Sequence, residues 1–125
     1  LEEDLLPILL DCAQGCLESR ALQVRDGAAC CVVMVSKGYP GDYPKGLAIS
    51  GLDGDHDDVV IFQAGTRQQS DGTICTNGGR VLGITGRGTD IKQARQRAYA
   101  VIESIDFEGA AWREDIAWRA LEDRE

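Results

Sequence analysis

The spacing of apolar residues changes along the chain from a helical period to short strand-like runs and then back to a helical period. Residues 1–17 carry apolar side chains at helical spacing, and Asp4 is placed to cap the start of this first helix. The run 28–35 is apolar at every position and therefore on both faces, which predicts a central strand. Glycine-rich turns separate shorter apolar runs, which predict strands at 21–24, 47–52, 59–62, 73–76 and 81–85.

The most regular helical pattern covers residues 89–105. Thr89 or Asp90 can cap its start, and the polar residues Arg95 and Gln96 fall on the side predicted to face solvent. The apolar positions share the opposite face: Ile91, Ala94, Ala98, Val101, Ile102 and Ile105.

The tail that follows is predicted to dock on the sheet through Trp112, Ile116 and Leu121. A helix, a series of short strands with glycine turns and a second long helix indicate the α+β class. The prediction is a small antiparallel sheet or half-barrel with the long helix packed on it.

A candidate binding site lies where the glycine turn Asn77-Gly78-Gly79 precedes Arg80. Glycine dipeptides of this kind supply hairpin turns, so the sequence predicts a hairpin with Arg80 at its mouth. Backbone N–H groups of such a turn and a guanidinium together can recognise phosphate or carboxylate. The alternative is a structural hairpin whose arginine pairs with an acidic neighbour. The rigid loop 36–46, rich in Tyr, Pro and Gly, is predicted either to be structural or to line this site.

Composition excludes several classes of function. With 125 residues and 43% apolar content the chain is long enough for one domain, and its net charge of -8 repels nucleic acids. The longest apolar run, 28–35, is well short of the roughly 20 residues that span a bilayer. The chain opens on L-E-E-D-L-L without an initiating Met, and we expect it to be a piece of a longer protein.

The titratable residues form no motif for metal binding or catalysis. Five cysteines include no C-x-x-C pair, and the one histidine, His56, lies in the acidic run 53–58, which lacks the spacing of a calcium loop. We expect the cysteines to be buried structural thiols in a reducing compartment. Gly86-Arg87-Gly88 lacks the rest of a phosphate loop and is predicted to be a turn before the helix.

Four motifs together resemble one known family. They occur in order along the whole chain: Gly38-Tyr39-Pro40, Ala64-Gly65-Thr66, Gly78-Gly79-Arg80-Val81-Leu82, and Arg113-x-Asp115-Ile116-x-Trp118-Arg119-Ala120. Their order and spacing resemble those of the phosphoribosylamine-glycine ligases, also called glycinamide ribonucleotide synthetases. Gln63, Glu114 and Ala117 depart from the family pattern, where His, Lys and Gly are common.

The resemblance implies a carbon-nitrogen ligase of the ATP-grasp superfamily. Such an enzyme joins glycine to phosphoribosylamine with ATP and Mg (or Mn) in the cytoplasm, in the second step of purine synthesis. Residues 1–19 would then be the helix that closes the ATP-grasp region. Residues 20–125 would be the C-terminal domain, a rudiment single hybrid motif resembling the small barrel of biotin carboxylases. The partners would be the N-terminal and ATP-grasp domains of the same enzyme, which hold the ATP and metal ligands, so the fragment alone is expected to be inactive.

The resemblance also assigns a role to particular residues. Related ligases hold a ribose 5-phosphate with basic residues of the equivalent hairpin, which makes Arg80 with Gly79 the first candidate. Gly65, Thr66 and Arg67 are the second, and Lys37 and Lys45 are weaker candidates. No catalytic residue, metal ligand or covalent cofactor is expected in this chain.

Two other classes of function stay open at this point. A carrier module of the biotinyl or lipoyl kind would present a lysine at a hairpin tip, whereas Asn77-Gly78-Gly79 contains none. A purely structural or assembly domain would tolerate substitution of every loop residue named above.

Overall fold

A four-stranded antiparallel sheet with one long helix on one of its faces forms the centre of the fold. The computed structural model describes residues 1–122, so the last three residues of the predicted domain 20–125 lie outside the described part. The helices are α1 (Leu5–Gln14), α2 (Ile91–Ile102) and α3 (Trp118–Glu122). The strands are β1 (Ala28–Ser36), β2 (Val59–Gln63), β3 (Thr66–Gln68), β4 (Ile74–Thr76), β5 (Arg80–Gly88) and β6 (Ala110–Ala111).

The order of strands in the main sheet is β2-β5-β1-β6, and β3 and β4 form a separate two-stranded sheet. β1 and β5 are the longest strands and pair antiparallel along their length. The predicted α+β class, with a small antiparallel sheet and a long packed helix, is therefore confirmed.

The core lies between the main sheet and α2. Along β1, the buried side chains of Cys30, Val32 and Met34 alternate with the exposed side chains of Cys31 and Val33. The core combines these inward residues with the apolar face of α2: Cys30, Val32, Met34, Ile49, Val81, Leu82, Ile84, Ala94, Ala98, Val101, Ile102, Ile105 and Phe107. The predicted apolar face of the long helix is confirmed, because Ala94, Ala98, Val101, Ile102 and Ile105 are all buried.

Two predicted strands are absent from the described residues. Residues 21–24 are exposed and irregular, since no strand lies beside them to pair with. In 47–52 only two isolated bridges form, Ala48 with Cys75 and Ser50 with Asp106. Apolar composition favoured strands in both segments. Segment 21–24 has no neighbouring edge to complete its hydrogen bonds, whereas 47–52 bonds to β4 at Leu47 and Ile49 and then to Asp106 at Ser50, so it forms no continuous ladder with one strand.

The predicted hairpin at Asn77-Gly78-Gly79 is wrong. β4 pairs with β3, whereas β5 pairs with β1 and β2, so the glycine segment carries the chain from one sheet to the other. Neither Gly78 nor Gly79 is among the glycines with positive φ, the conformation that a tight hairpin would require. The nine-residue β5 buries more apolar surface between β1 and β2 than it could against the three residues of β4.

The cysteine prediction is correct for two residues only. Cys30 and Cys75 are buried, and burial raises the pKa of the Cys30 thiol. Cys12, Cys16 and Cys31 are exposed free thiols. Cys31 alternates with Cys30 on β1, so it faces away from the core.

Arg95 fastens the tail to α2, although the sequence predicted that it faces solvent. Its Nε donates a hydrogen bond to the Ile116 carbonyl at 2.8 Å, and its Nη2 donates to the Glu114 carbonyl at 2.7 Å. The guanidinium also lies over the Tyr99 ring, 5.0 Å from its centroid. The Tyr99 hydroxyl donates to the Arg113 carbonyl at 2.6 Å. The tail therefore docks on α2 as well as on the sheet.

The first helix stands apart from the core. Asp4 caps it as predicted, but of its residues only Ile8 is buried, and Ile8 does not belong to the core cluster. Its links are to the segment that follows: the Glu2 N–H donates to the Gln23 carbonyl, and Glu3 pairs with Arg20. No helix within residues 1–122 is long and apolar enough to cross a membrane.

Gly86 is the point of closest approach between the sheet and α2. A Cβ at this position would collide with the Ala94 carbonyl oxygen and lie 2.8 Å from the Ala98 nitrogen. Both atoms belong to the helix backbone, which cannot move aside without displacing α2. Gly83, three residues earlier on the same strand, has only the Cys31 Sγ at 3.4 Å and the Phe62 Cβ at 3.8 Å near the equivalent position.

We therefore expect Gly86→Ala to lower the free energy of unfolding by about 1–3 kcal/mol, the usual cost of overpacking a core. Gly83→Ala is the matched control and should change it by less than about 1 kcal/mol, because alanine is slightly better than glycine in a strand. Urea denaturation of both variants measures the difference. Equal stability of the two variants would contradict the close packing of α2 on Gly86.

Candidate functional site

The segment Gly78–Gly79, just before Arg80, is held rigidly at the end of β1. The Ser36 N–H donates to the Gly79 carbonyl at 2.8 Å, and the Ser36 hydroxyl donates to the Gly78 carbonyl at 3.0 Å. Ser36 itself is 1% exposed. A buried serine that is satisfied by two backbone carbonyls fixes the position of these glycines, and through them the position of Arg80.

A second contact joins this segment to the chain after β2. The Gly65 N–H donates to the Arg80 carbonyl at 2.9 Å, and the Asn77 N–H donates to the Gly65 carbonyl at 2.7 Å. A Cβ on Gly65 would lie 2.8 Å from the Cα of Gly78, so the two backbones touch where neither residue has a side chain. Glycine is needed here for close approach rather than for a turn.

Tyr39 covers the other side of the glycine segment. A Cβ on Gly79 would meet the Tyr39 ring, with Cε2 at 2.7 Å, so the ring lies directly against the Gly79 backbone. The Tyr39 and Tyr43 rings are 6.3 Å apart between centroids, and the Lys45 ammonium lies 5.8 Å from the centre of the Tyr43 ring. The Tyr-Pro loop is therefore beside the candidate site.

The Arg80 side chain is exposed and forms no ion pair or hydrogen bond with residues 1–122. The other predicted possibility, an arginine neutralised by an acidic neighbour, does not describe its surroundings in this part of the chain. A rigid backbone thus carries a guanidinium whose donors are open to solvent. Such a group can bind a phosphate or carboxylate in a bidentate manner.

The other predicted site residues, Thr66 and Arg67, lie on β3, which begins next to Gly65. Thr66 follows Gly65 directly, pairs with Thr76, and its hydroxyl donates to the Gln63 side chain at 3.0 Å. Arg67 is exposed on β3, opposite Cys75. The structure therefore brings Gly65, Thr66, Gly79 and Arg80 together, with Arg67 one residue further along β3.

The two lysines lie on connections into the same region. Lys37 follows Ser36 directly, and its Cβ lies where a side chain on Gly109 would be. Lys45 precedes Gly46, whose N–H donates to the Thr76 carbonyl at 2.6 Å. Both are exposed and add positive charge near the glycine segment.

Tyr39 is the residue of this site that sequence reasoning missed. The loop was predicted as a possible lining, but no residue type pointed to Tyr39 in particular. The available signal was the motif Gly38-Tyr39-Pro40, one of the four that carry the family resemblance. The structure adds the reason: the missing side chain of Gly79 leaves room for the Tyr39 ring.

A cleft of about 820 Å³ lies at the opposite end of β5 from Arg80, near the start of α2. Arg87 and Arg97 line it, but both contact the Asp58 carboxylate, with N–O distances of 3.8 Å and 2.8 Å. Asp90 also places a carboxylate at the helix N-terminus, where it accepts from the Gln93 N–H. These two arginines share one carboxylate, whereas Arg80 has no acidic partner within residues 1–122, which makes the Arg80 region the better candidate for an anion.

The described residues also show no metal centre. Within 1–122, no three His, Cys, Asp or Glu side chains are grouped so that they could hold a metal ion. The chemistry that this site offers is therefore recognition of an anionic group by a guanidinium, nearby cations and polar backbone.

Comparison with known proteins identifies the family. Residues 29–119 match the family model described as phosphoribosylglycinamide synthetase, C domain. A phosphoribosylamine-glycine ligase of Phenylobacterium zucineum (strain HLK1) is 53% identical over 123 residues, which are 97% of this chain and 29% of that protein. The chloroplastic phosphoribosylamine-glycine ligase of Arabidopsis thaliana is 41% identical over 128 residues, covering 100% of this chain and 24% of that protein.

A solved structure agrees with these relatives. The crystal structure of phosphoribosylamine-glycine ligase from Thermotoga maritima superimposes with a TM-score of 0.77 at 37% identity, over 90% of this chain and 27% of that one. The chain thus spans less than a third of the length of the relatives it matches. The chain belongs to the phosphoribosylglycinamide synthetase family and corresponds to its C domain.

Proposed function

We propose that this chain is the C-terminal part of an ATP-dependent ligase that joins glycine to 5-phosphoribosylamine and forms glycinamide ribonucleotide. Within that enzyme, the region around Arg80 helps to hold the ribose 5-phosphate. The observation that carries this role is the exposed guanidinium without an ion pair among residues 1–122, fixed on a rigid glycine segment. The names of the relatives support the activity of the whole enzyme.

Electrostatics favour one concentrated site for the phosphate. The 125-residue chain carries a net charge of -8, which repels a dianion at long range. A phosphate must therefore meet a local set of donors strong enough to offset that repulsion. Arg80 supplies a fork of N–H donors, and Arg67, Lys37 and Lys45 add positive charge. The Thr66 hydroxyl joins this set only by turning away from the Gln63 side chain, to which it donates here.

The same charge argues against a nucleic acid partner. ATP and Mg (or Mn) are assigned to the parts of the enzyme outside this chain, as the family resemblance implies, and no covalent cofactor is proposed. The three exposed free thiols, Cys12, Cys16 and Cys31, fit a reducing compartment, and we place the enzyme in the cytoplasm.

The boundary between the two parts of the chain rests on the family resemblance and on the exposure of α1. We propose that residues 1–19 form the closing helix of the ATP-grasp region and that the C-terminal domain begins at residue 20. Four leucines of α1 are 48–70% exposed: Leu5, Leu6, Leu9 and Leu10. A helix with so little of its apolar face covered is expected to pack against a neighbouring domain.

In the 125-residue chain, we expect the amides of α1 to exchange with solvent faster than those of α2. The reason is that α1 lacks a packing partner, so it opens without unfolding the core. Hydrogen exchange followed by mass spectrometry measures both helices in one sample. Equal protection would contradict a domain boundary near residue 19.

The purified 125-residue chain is expected to show neither ATP hydrolysis nor formation of glycinamide ribonucleotide. The physical reason is that the nucleotide and metal ligands are assigned to other parts of the enzyme. An assay with all three substrates and Mg, run beside the longer protein, tests this. Measurable turnover by the 125-residue chain would overturn the assignment.

In the complete enzyme, Arg80→Ala should lower kcat/KM for phosphoribosylamine by about tenfold to a thousandfold. Loss of a hydrogen bond to a charged group costs roughly 1.5–3 kcal/mol, and water replaces part of the second bond of the bidentate pair because Arg80 is exposed, so the total is about 1.4–4 kcal/mol. The KM values for ATP and glycine should change much less. Arg80→Lys should recover only part of the loss, because an ammonium cannot reproduce the fork.

Arg87→Ala is the matched control, since Arg87 lies on the same strand at the opposite end and faces Asp58. Steady-state kinetics with each substrate varied in turn gives the comparison. A KM for phosphoribosylamine within about twofold of wild type in Arg80→Ala, a shift of about 0.4 kcal/mol, would mean that the phosphate is held elsewhere.

A further inference from the structure

The face of the main sheet that points away from α2 is apolar and uncovered in the described part of the chain. We call it the outer sheet face and define it by the residues that point outward from three neighbouring strands. These are Ala29, Cys31 and Val33 of β1, Val60 and Phe62 of β2, and Gly83 and Thr85 of β5. None of them carries a charge; Arg87 of β5, which lies opposite Ala29, is the charged outward residue at the edge of this face.

The strand register places these residues in two adjacent rows. Val33, Gly83 and Phe62 lie opposite one another across β1, β5 and β2, and so do Cys31, Thr85 and Val60. Exposed fractions are 40% for Val33, 39% for Val60 and 56% for Phe62. Gly83 leaves a shallow groove between Val33 and Phe62.

This arrangement is unusual for a free surface. A sheet with one wet face normally alternates apolar and polar residues, whereas β1 is apolar on both faces from Ala28 to Val35. Contiguous apolar patches on soluble proteins mark sites that contact another protein surface. The composition of β1 is that of a strand buried on both sides.

We propose that the outer sheet face is the docking surface for a preceding domain of the same polypeptide. The matched relatives are more than three times as long as this chain, so most of such a polypeptide lies outside it. A second copy of this chain is a poorer occupant, because two chains of net charge -8 repel each other. This proposal rests on the proposed function for the existence of the preceding domain.

The position of the residues before β1 also supports docking of a preceding domain. Leu1 and Val24, from either side of α1, line one cleft together with Ala28, Ala29 and Arg87. The region of α1 therefore meets the outer sheet face at the start of β1. A domain that packs on the exposed leucines of α1 could continue onto this face without a gap.

Cys31 is a built-in probe of this surface. Its thiol is exposed on the outer sheet face of the 125-residue chain, whereas Cys30 and Cys75 are buried. We expect N-ethylmaleimide to label Cys31 at least about tenfold more slowly in the longer protein than in the 125-residue chain. Tandem mass spectrometry separates Cys31 from Cys30, and Cys75 serves as a thiol that reacts slowly in both. Equal rates at Cys31 would overturn the proposal.

Two variants that each introduce a charge provide an independent test of the docking surface. Phe62→Glu introduces a charge on the outer sheet face, and Gln96→Glu introduces the same charge on the exposed face of α2. In the 125-residue chain, neither should shift the melting temperature by more than a few degrees, since both side chains are exposed there. In the longer protein, only Phe62→Glu should restore rapid labelling of Cys31. Continued protection in Phe62→Glu, or loss of protection in Gln96→Glu, would count against docking at this face.

Two further measurements distinguish docking of a preceding domain from self-association and from failure of the proposed function. Sedimentation of the 125-residue chain over a range of concentrations should show a monomer. A dimer in which Cys31 is protected would replace the preceding domain by a second copy and overturn the proposal. Ligase activity of the longer protein is measured separately, so a protein with a protected Cys31 but no activity would keep the docking surface and lose the proposed function.

Discussion

The pairing of β1 with β5 is the interaction on which the other features of this domain depend. β5 reaches the helix at Gly86, contributes Gly83 to the outer sheet face and begins at Arg80. β1 supplies the buried row against α2 and ends at Ser36, whose two hydrogen bonds hold the segment before Arg80. One antiparallel ladder therefore connects the core, the uncovered face and the candidate anion site. A change that shifted its register by one residue would turn every side chain of β5 to the opposite face.

Sequence patterns predicted the parts of the fold that depend on local order. The long helix and its buried face follow from period alone, and the sequence offered Thr89 or Asp90 as its cap, of which the structure uses Asp90. The apolar run 28–35 likewise predicted the strand Ala28–Ser36. The hairpin prediction at Asn77-Gly78-Gly79 failed because a turn signal reflects only neighbouring residues. The strands that pair with β5 are determined instead by apolar surface from distant parts of the chain. The segment 21–24 failed for the related reason that no strand edge lies beside it. Helical periodicity wrongly placed Arg95 in solvent, because its hydrogen-bond partners are carbonyl groups of the tail, which is distant in sequence.

The sequence suggested which residues form the candidate site, but not the contacts that hold them together. Arg80 stood out as a guanidinium beside glycines, and the family resemblance gave it a role. What those glycines do could not be inferred, since a missing side chain can serve a turn or a close approach. The structure shows close approach: Gly65 against the Gly78 backbone and Gly79 against the Tyr39 ring. Both contacts join residues that are distant in sequence, so only the folded chain reveals them.

The two proposals are linked through β5. If the outer sheet face docks on a preceding domain, the position of Arg80 relative to that domain is fixed by the same strand that makes the contact. Substrate phosphate held by Arg80 would then be bound at a set distance from reacting groups contributed by other parts of the enzyme. Binding energy remote from the reacting amine aids the reaction only when such geometry is maintained. A domain can therefore influence turnover through binding alone, provided that its core, its docking face and its anion site belong to one rigid sheet.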